Sequence, residues 1–307
     1  MWQQTTDRNA ARKALFVSVP WRLNLKNRVD GSPDECSSES TEMIGREELT
    51  VMRVTVCQLS DERDGFASDW EGLVAHVKSE SSDLVLLPEM PFSRWFALGR
   101  DFDPGVWQAA VAAHDAWLAR LHPLAPAVVL GSRPVNAGSY RRNEGFIWDQ
   151  ELGYRAVHSK YYLPNEEGYW EASWYGRGEG DFTPVQSGVA RIGFAICTEL
   201  WFLERARAYG QQGVQIIVTP RATGSVTVDK WLVGGRACAV VSGAFSLSSN
   251  RVSAAGQATD FGGQGWVVDP DGAVLGLTSR AQPFVTVEID LHAAELARQT
   301  YPRYVRD

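Results

Sequence analysis

The sequence predicts a layered α/β fold, and three observations predict it. Segments rich in β-branched or alternating apolar residues take turns with segments whose apolar residues recur at helical spacing. The 307 residues are 44% hydrophobic and 22% charged, which is ample material for a large core. Apolar runs are short and bounded by turn residues, and none approaches the roughly 18 residues of a membrane span.

The elements follow in order from Met52. MRVTVCQL alternates and is β-branched, so it predicts a strand. In FASDWEGLVAHVKSE, the residues Phe66, Trp70, Leu73, Val74 and Val77 mark one face of a helix. DLVLLPE is a short apolar run stopped by Pro88, which predicts a buried strand ending in a loop. PGVWQAAVAAHDAWLARL is helical, with Pro104 at its start. PAVVLGSR, EGFIWD and YRAVHSK predict three further strands. ARIGFAIC predicts another, followed by a helix in ELWFLERARAYGQQG and a strand in VQIIVTP. DKWLVGGRACAVVSG predicts a helix and AFSLSSN a strand. GGQGWVVDPDGAVLGL predicts a hairpin turning at Asp271-Gly272. FVTVEID and a short LHAAELARQ helix close the chain, and no repeat of fixed period occurs.

Residues 1–50 read differently. Basic residues dominate up to Arg28, and the stretch after it, DGSPDECSSESTE, is acidic and serine-rich. Such a segment buries too little apolar surface to offset its ordering entropy. The expectation is a polar, flexible extension over 1–50 and a single folded domain over 51–307. No h-region or cleavage pattern of a secretory signal is present, and the expected location is the cytoplasm.

Composition also excludes function classes. Thirty basic against 37 acidic side chains give a net charge of −7, which argues against a nucleic-acid partner. Cys36, Cys57, Cys197 and Cys238 lie far apart with no CxxC spacing, and the five histidines form no HxH or HxxxH pair. The expectation is no metal, no cofactor and no disulfide framework.

Three reactive residues fall at the ends of predicted strands. Glu89 follows LVLLP, Lys160 closes YRAVHSK, and Cys197 ends RIGFAIC directly before a predicted helix. Alone, each has an ordinary reading: a loop carboxylate, a solvated strand-end cation, a buried core thiol. Together they fit nucleophilic catalysis. Cys197 would attack an electrophilic carbon, Glu89 would take its proton and pass it to a leaving amine, and Lys160 would face the developing oxyanion. The Thr198 backbone N–H would be a second oxyanion donor, and the helix start after Cys197 would favour a thiolate.

LLPEMPF, SKYYLP and RIGFAICTELWF, in that order, resemble the three signature segments of the nitrilase (carbon–nitrogen hydrolase) superfamily. The resemblance runs from Met52 to the terminal YPRYVRD. It implies a four-layer α-β-β-α sandwich, no metal or organic cofactor, and a homodimer that builds into larger assemblies. It also implies that Glu89 is the general base, Lys160 the oxyanion-stabilising lysine and Cys197 the nucleophile. KYYLPNEEGYWEASWYGRGEGDF resembles the carbamoyl-polyamine amidase pattern, which selects Glu171 rather than Glu166 or Glu167 as a second glutamate. Its implied role is to orient Lys160 and the substrate amide.

The departures bear on substrate. Tyr162 stands where many relatives have histidine, and Thr198-Glu199 where many amidases have an aromatic residue and aspartate. Glu199 resembles true nitrilases, whereas Leu200-Trp201-Phe202 resembles amidases. No arginine follows Cys197 directly, which counts against a carbamoylated D-amino acid. Trp174 and Trp201 are candidate pocket walls, although aromatic residues beside catalytic segments serve core packing equally often. Arg221, ending the next strand, is a candidate fork for a substrate carboxylate, against an internal ion pair. The resemblance implies a small amide, N-carbamoyl compound or nitrile as substrate; a dimeric scaffold without catalysis is the remaining alternative.

Overall fold

The structure, a computed structural model, describes residues 51–305 apart from 189, 255 and 258. The extension expected over residues 1–50 lies outside the described residues. Alternation in β1 (Val51–Ser60) sorts its side chains into two cores: Val54 and Val56 enter one, Cys57 and Leu59 the other. β1 pairs in parallel with β2 (Leu84–Leu86) and antiparallel with β12 (Phe284–Asp290), while its last residues pair in parallel with β9 (Phe245–Val252). It therefore joins two halves of one twelve-stranded sheet.

In the first half, β2 leads to β3 (Val128–Ala137), β4 (Tyr140–Asp149) and β5 (Gly153–Ser159). In the second, β9 leads to β8 (Ile216–Arg221), β7 (Ala190–Phe194) and β6 (Val185–Ser187). The hairpin of β10 (Trp266–Val268) and β11 (Val274–Leu277) adds to β9. The two halves face each other: Leu84, Leu86, Leu130 and Ile147 of one pack with Ile192, Phe194, Ile216, Val218 and Leu247 of the other.

Helices cover both outer faces. Phe66, Trp70, Leu73 and Val77 of α1 (Arg63–Glu80) pack on Val85, Leu87 and Val129, the out-facing partners of the first half. Ala206 and Tyr209 of α4 (Leu203–Gln211), with Cys238 and Ala239 of α5 (Val228–Ser242), pack on Ile217, Trp266 and Val268. Four layers result, α-β-β-α, as the sequence resemblance implied. α2 (Pro104–Leu118), capped by the Asp103 carboxylate, packs Trp117 against Phe66 and Trp70 of α1 on the same outer core, and the single turn α3 (Glu171–Trp174) follows β5. α6 (Leu291–Ala297) follows β12.

The predicted boundaries shift in two places that matter. β4 begins at Tyr140 rather than Glu144, because the polar YRRN continues the antiparallel ladder with β3 down to Tyr140↔Ala137. β7 ends at Phe194, and Cys197 starts a 3-10 turn, Cys197–Trp201, rather than closing a strand or entering an α-helix.

α4 and α5 meet so closely that a Cβ at Gly210 would collide with the backbone carbonyl of Ser242. Neither partner is a flexible side-chain tip, so the helices must separate to admit it. Gly210→Ala is expected to lower stability by about 1–3 kcal/mol, read as a lower midpoint in urea denaturation without a change in slope.

Candidate active site

Three chain segments deliver the reactive residues. After β2 the Glu89 N–H donates to the Arg221 carbonyl at 3.2 Å, and Met90 then takes a left-handed φ of 46°. Lys160 follows β5, its N–H on the Asn143 carbonyl at 2.9 Å and its carbonyl accepting from Gly178 N–H at 2.9 Å. Cys197 sits at a left-handed elbow, φ 50°, two residues beyond the last β7-to-β8 backbone bond, Ala195 N–H to Val218 O at 3.0 Å. Non-glycine residues rarely adopt this conformation, so two sharp turns are held at Met90 and Cys197 by their surroundings.

The side chains converge. Lys160 Nζ donates to Glu89 Oε1 at 2.8 Å and to Glu171 Oε2 at 2.6 Å, and all three residues are fully buried. Asn143 Nδ2 donates to the same Glu89 oxygen at 2.7 Å, and the Tyr175 hydroxyl donates to Glu171 Oε2. Glu89 Oε2 and Glu171 Oε1 are buried with no protein partner among the described residues. One peptide unit links Glu89 and Cys197: the Arg221 carbonyl holds the Glu89 N–H, and the adjoining Ala222 N–H bonds the Cys197 sulfur.

Electrostatics set the resting state. Burial alone would push the Lys160 ammonium down, but Glu171 and Glu89 together outweigh it and hold it above the ordinary lysine range. Burial, then the Glu89 charge, raises the Cys197 thiol above its ordinary value, and Lys160 and the Ala222 N–H only partly oppose the rise. The expectation of a helix-stabilised thiolate is thereby corrected: a buried sulfur near carboxylates is a thiol at rest. Burial pushes Glu171 up to about 7, with Lys160 pulling the other way.

The sequence profile of the carbon–nitrogen hydrolases matches residues 53–299. This chain belongs to the carbon–nitrogen hydrolase family. It is 25% identical to the chloroplastic omega-amidase of Arabidopsis thaliana over 290 residues, covering 88% of this chain and 76% of that protein. Similarity to the N-carbamoylputrescine amidase of Arabidopsis thaliana is 27% over 191 residues, spanning 61% of this chain and 64% of the relative. The crystal structure of a carbon–nitrogen hydrolase from Helicobacter pylori G27 shares the fold, with a TM-score of 0.73 at 21% identity over 83% of this chain and 94% of that one.

In this family member a cavity of about 530 Å³ reaches the cluster, and both Cys197 and Glu171 line it. Of the other residues singled out in the sequence, Thr198 and Trp201 line the same cavity, and the Trp201 ring lies 5.1 Å from that of Trp231. Glu166 lies at its exposed rim. Two candidates do not reach it. Trp174 is buried, donates its indole N–H to Gly99 O at 2.8 Å and packs on Phe96 and Phe102. Arg221 is buried with its guanidinium spent on Ser248 Oγ at 2.7 Å, Thr223 Oγ1 at 2.8 Å and Gln264 O at 2.7 Å, over the Trp266 ring. Each nitrogen of the fork is bonded internally and the buried group does not line the cavity, so it is not presented to a substrate carboxylate.

Sequence reading missed Asn143, which holds Glu89, and Tyr169 and Trp231, which wall the cavity. Asn143 carried no local signal, because it ends the polar YRRN just before the predicted strand EGFIWD. Among the described residues no group of His, Cys, Asp and Glu side chains could hold a metal ion, and no helix is long and apolar enough to cross a membrane.

The raised Glu171 group makes a pH-linked expectation. Its folded value of about 7 exceeds the ordinary 4.5, so the stability it contributes is present below about 4.5 and lost as pH rises towards 7. Glu171→Gln removes that titration. Wild-type stability in urea, compared with that of the variant, is expected to decline between pH 5 and pH 8.

Proposed function

We propose that this chain hydrolyses the C–N bond of a linear, non-peptide amide or N-carbamoyl group through a Cys197 acyl-enzyme. The observation that carries the reading is the buried Lys160 ammonium held between Glu89 and Glu171, within electrostatic reach of a thiol that opens onto a cavity. A purely structural role would not require an ammonium, two carboxylates and a thiol to be buried together, since apolar residues of similar volume are often more stabilising.

In this reading Glu89 takes the proton from Cys197 as sulfur attacks the carbonyl carbon. The carbonyl oxygen gains the negative charge and faces Lys160 Nζ and the Thr198 backbone N–H. The tetrahedral adduct then collapses. Its C–N bond breaks, the proton held by Glu89 goes to nitrogen, and ammonia or an amine leaves. Water attacks the thioester with Glu89 again as base, the C–S bond breaks, and the proton returns to sulfur as the acid departs. Glu171 lines the cavity and keeps Oε1 without a protein partner among the described residues, which suits it to accept an N–H of the substrate amide while Oε2 holds Lys160. Tyr169, Trp201 and Trp231 make the cavity wall aromatic, which favours an acyl group with an apolar arm. The nitrile alternative leaned on Glu199, which is buried away from the cavity and bonded to backbone instead.

The test is a panel of amides, ureido compounds and nitriles, with ammonia release measured beside intact-protein mass spectrometry. An acyl adduct on Cys197 and loss of turnover in Cys197→Ala are the expected results. Full turnover in that variant would overturn the reading, as would nitrile conversion with matching amides ignored.

A further inference from the structure

Lys160 and Cys197 leave the sheet from distant places. β5 ends the first half of the strand order and β7 lies next to the opposite end, so no backbone ladder joins them. Apolar packing between the sheet halves is non-directional, so by itself it does not set the register of these two strand ends. Tyr162 crosses the gap between them by stacking on Phe202, and one carboxylate crosses it by accepting backbone N–H groups from both sides. Glu199 is 1% exposed, and its Oε1 accepts the Tyr161 N–H at 2.7 Å while Oε2 accepts the Ile196 N–H at 2.8 Å. His158 Nε2 bonds the same Oε2 at 2.8 Å.

Every partner lies beside a residue of the proposed mechanism. Tyr161 follows Lys160 directly, His158 lies two residues before it, and Ile196 precedes Cys197. The bond to Ile196 closes the turn at Cys197 back on itself in the manner of a capping box, which also supports the left-handed elbow. We propose that Glu199 is a positioning residue: its carboxylate fixes the elbow of Cys197 against the strand end of Lys160, and so sets sulfur and ammonium at one reacting carbon. Two acceptor oxygens pointing at different segments are needed. A glutamine has one, and its amide N–H₂ would face a backbone N–H at the other. The inference rests on the proposed function for its kinetic readout, and misplacement of reacting groups by about an ångström costs on the order of 10²-fold in rate.

The test compares Glu199→Gln, Glu199→Asp and His158→Phe with the wild-type chain on whichever amide the panel finds. For Glu199→Gln the expected result is a kcat about 10- to 100-fold lower with KM within about threefold. Glu199→Asp keeps two acceptors and is expected to recover part of that loss. His158→Phe keeps ring volume but removes one donor, for a fall of a few-fold in kcat. Circular dichroism gives the folded fraction for each. Wild-type kcat in Glu199→Gln, a loss that follows the folded fraction, or aspartate no better than glutamine would overturn the proposal. Should Glu199→Gln fail to fold, unchanged kcat in both other variants would do the same. A wild-type chain that hydrolyses nothing would instead sink the proposed function. Labelling of Cys197 by iodoacetamide, which needs no substrate, would then decide, with slower labelling in the folded variants expected and an unchanged rate overturning the brace.

Discussion

A lysine ammonium buried between two carboxylates is the constraint on which the rest of the structure depends. Removing three ionisable groups from water costs several kcal/mol per ion even after relaxation, and only close, directional pairing offsets it. Lys160 achieves that pairing with Glu89 and Glu171 at 2.8 and 2.6 Å. The carboxylates must then be held in turn, and Asn143 and Tyr175 do so from β4 and from the end of α3. A cluster assembled from four chain segments needs a scaffold that fixes each segment. The two sheet halves joined at β1 provide it.

A second buried charge supports the loop that carries Glu89. Arg251 on β9 donates Nε to the Glu89 carbonyl at 3.0 Å and Nη1 to Ser93 O at 3.0 Å, with further bonds to Met90 O and Asp61. Asp61 also accepts the Trp95 N–H at 2.9 Å. The guanidinium thus gathers carbonyls of a turn that has left its strand, including the one at left-handed Met90. Buried backbone carbonyls need such partners. The strained conformation next to Glu89 persists because the arginine supplies them.

Much of this was legible in the sequence because it follows from period and punctuation. Val54, Val56, Leu84 and Leu86 show the two-residue period of the inner core, and Phe66, Trp70, Leu73 and Val77 the helical period of the outer one. Glu89, Lys160 and Cys197 stood out because each ends a predicted strand, and Glu171 because it sits in a recognisable pattern. Asn143 did not, since YRRN has no apolar alternation and becomes strand only by pairing with β3. Arg221 illustrates the opposite error. Its position at a strand end pointed to the rim, but Ser248 and Gln264 are brought to it from far along the chain and join the neighbouring Thr223. Which acceptors surround a guanidinium is a tertiary fact without a local signature.

The resting thiol shows why these groups must act together. In a buried site an isolated thiolate would be costly, and the neighbouring carboxylates raise that cost further. In the proposed mechanism no free thiolate is stored, and the sulfur becomes anionic as its proton moves to Glu89. In the proposed mechanism that move turns Glu89 neutral and removes the repulsion it had exerted on sulfur. Lys160, no longer shared with a Glu89 anion, can direct its charge to the oxygen that becomes negative. The same low dielectric that disfavours the resting thiolate then strengthens the ammonium–oxyanion attraction. Burial raises the cost of separating charge before the substrate arrives and strengthens charge stabilisation afterwards, which places the advantage in the transition state rather than in the free enzyme.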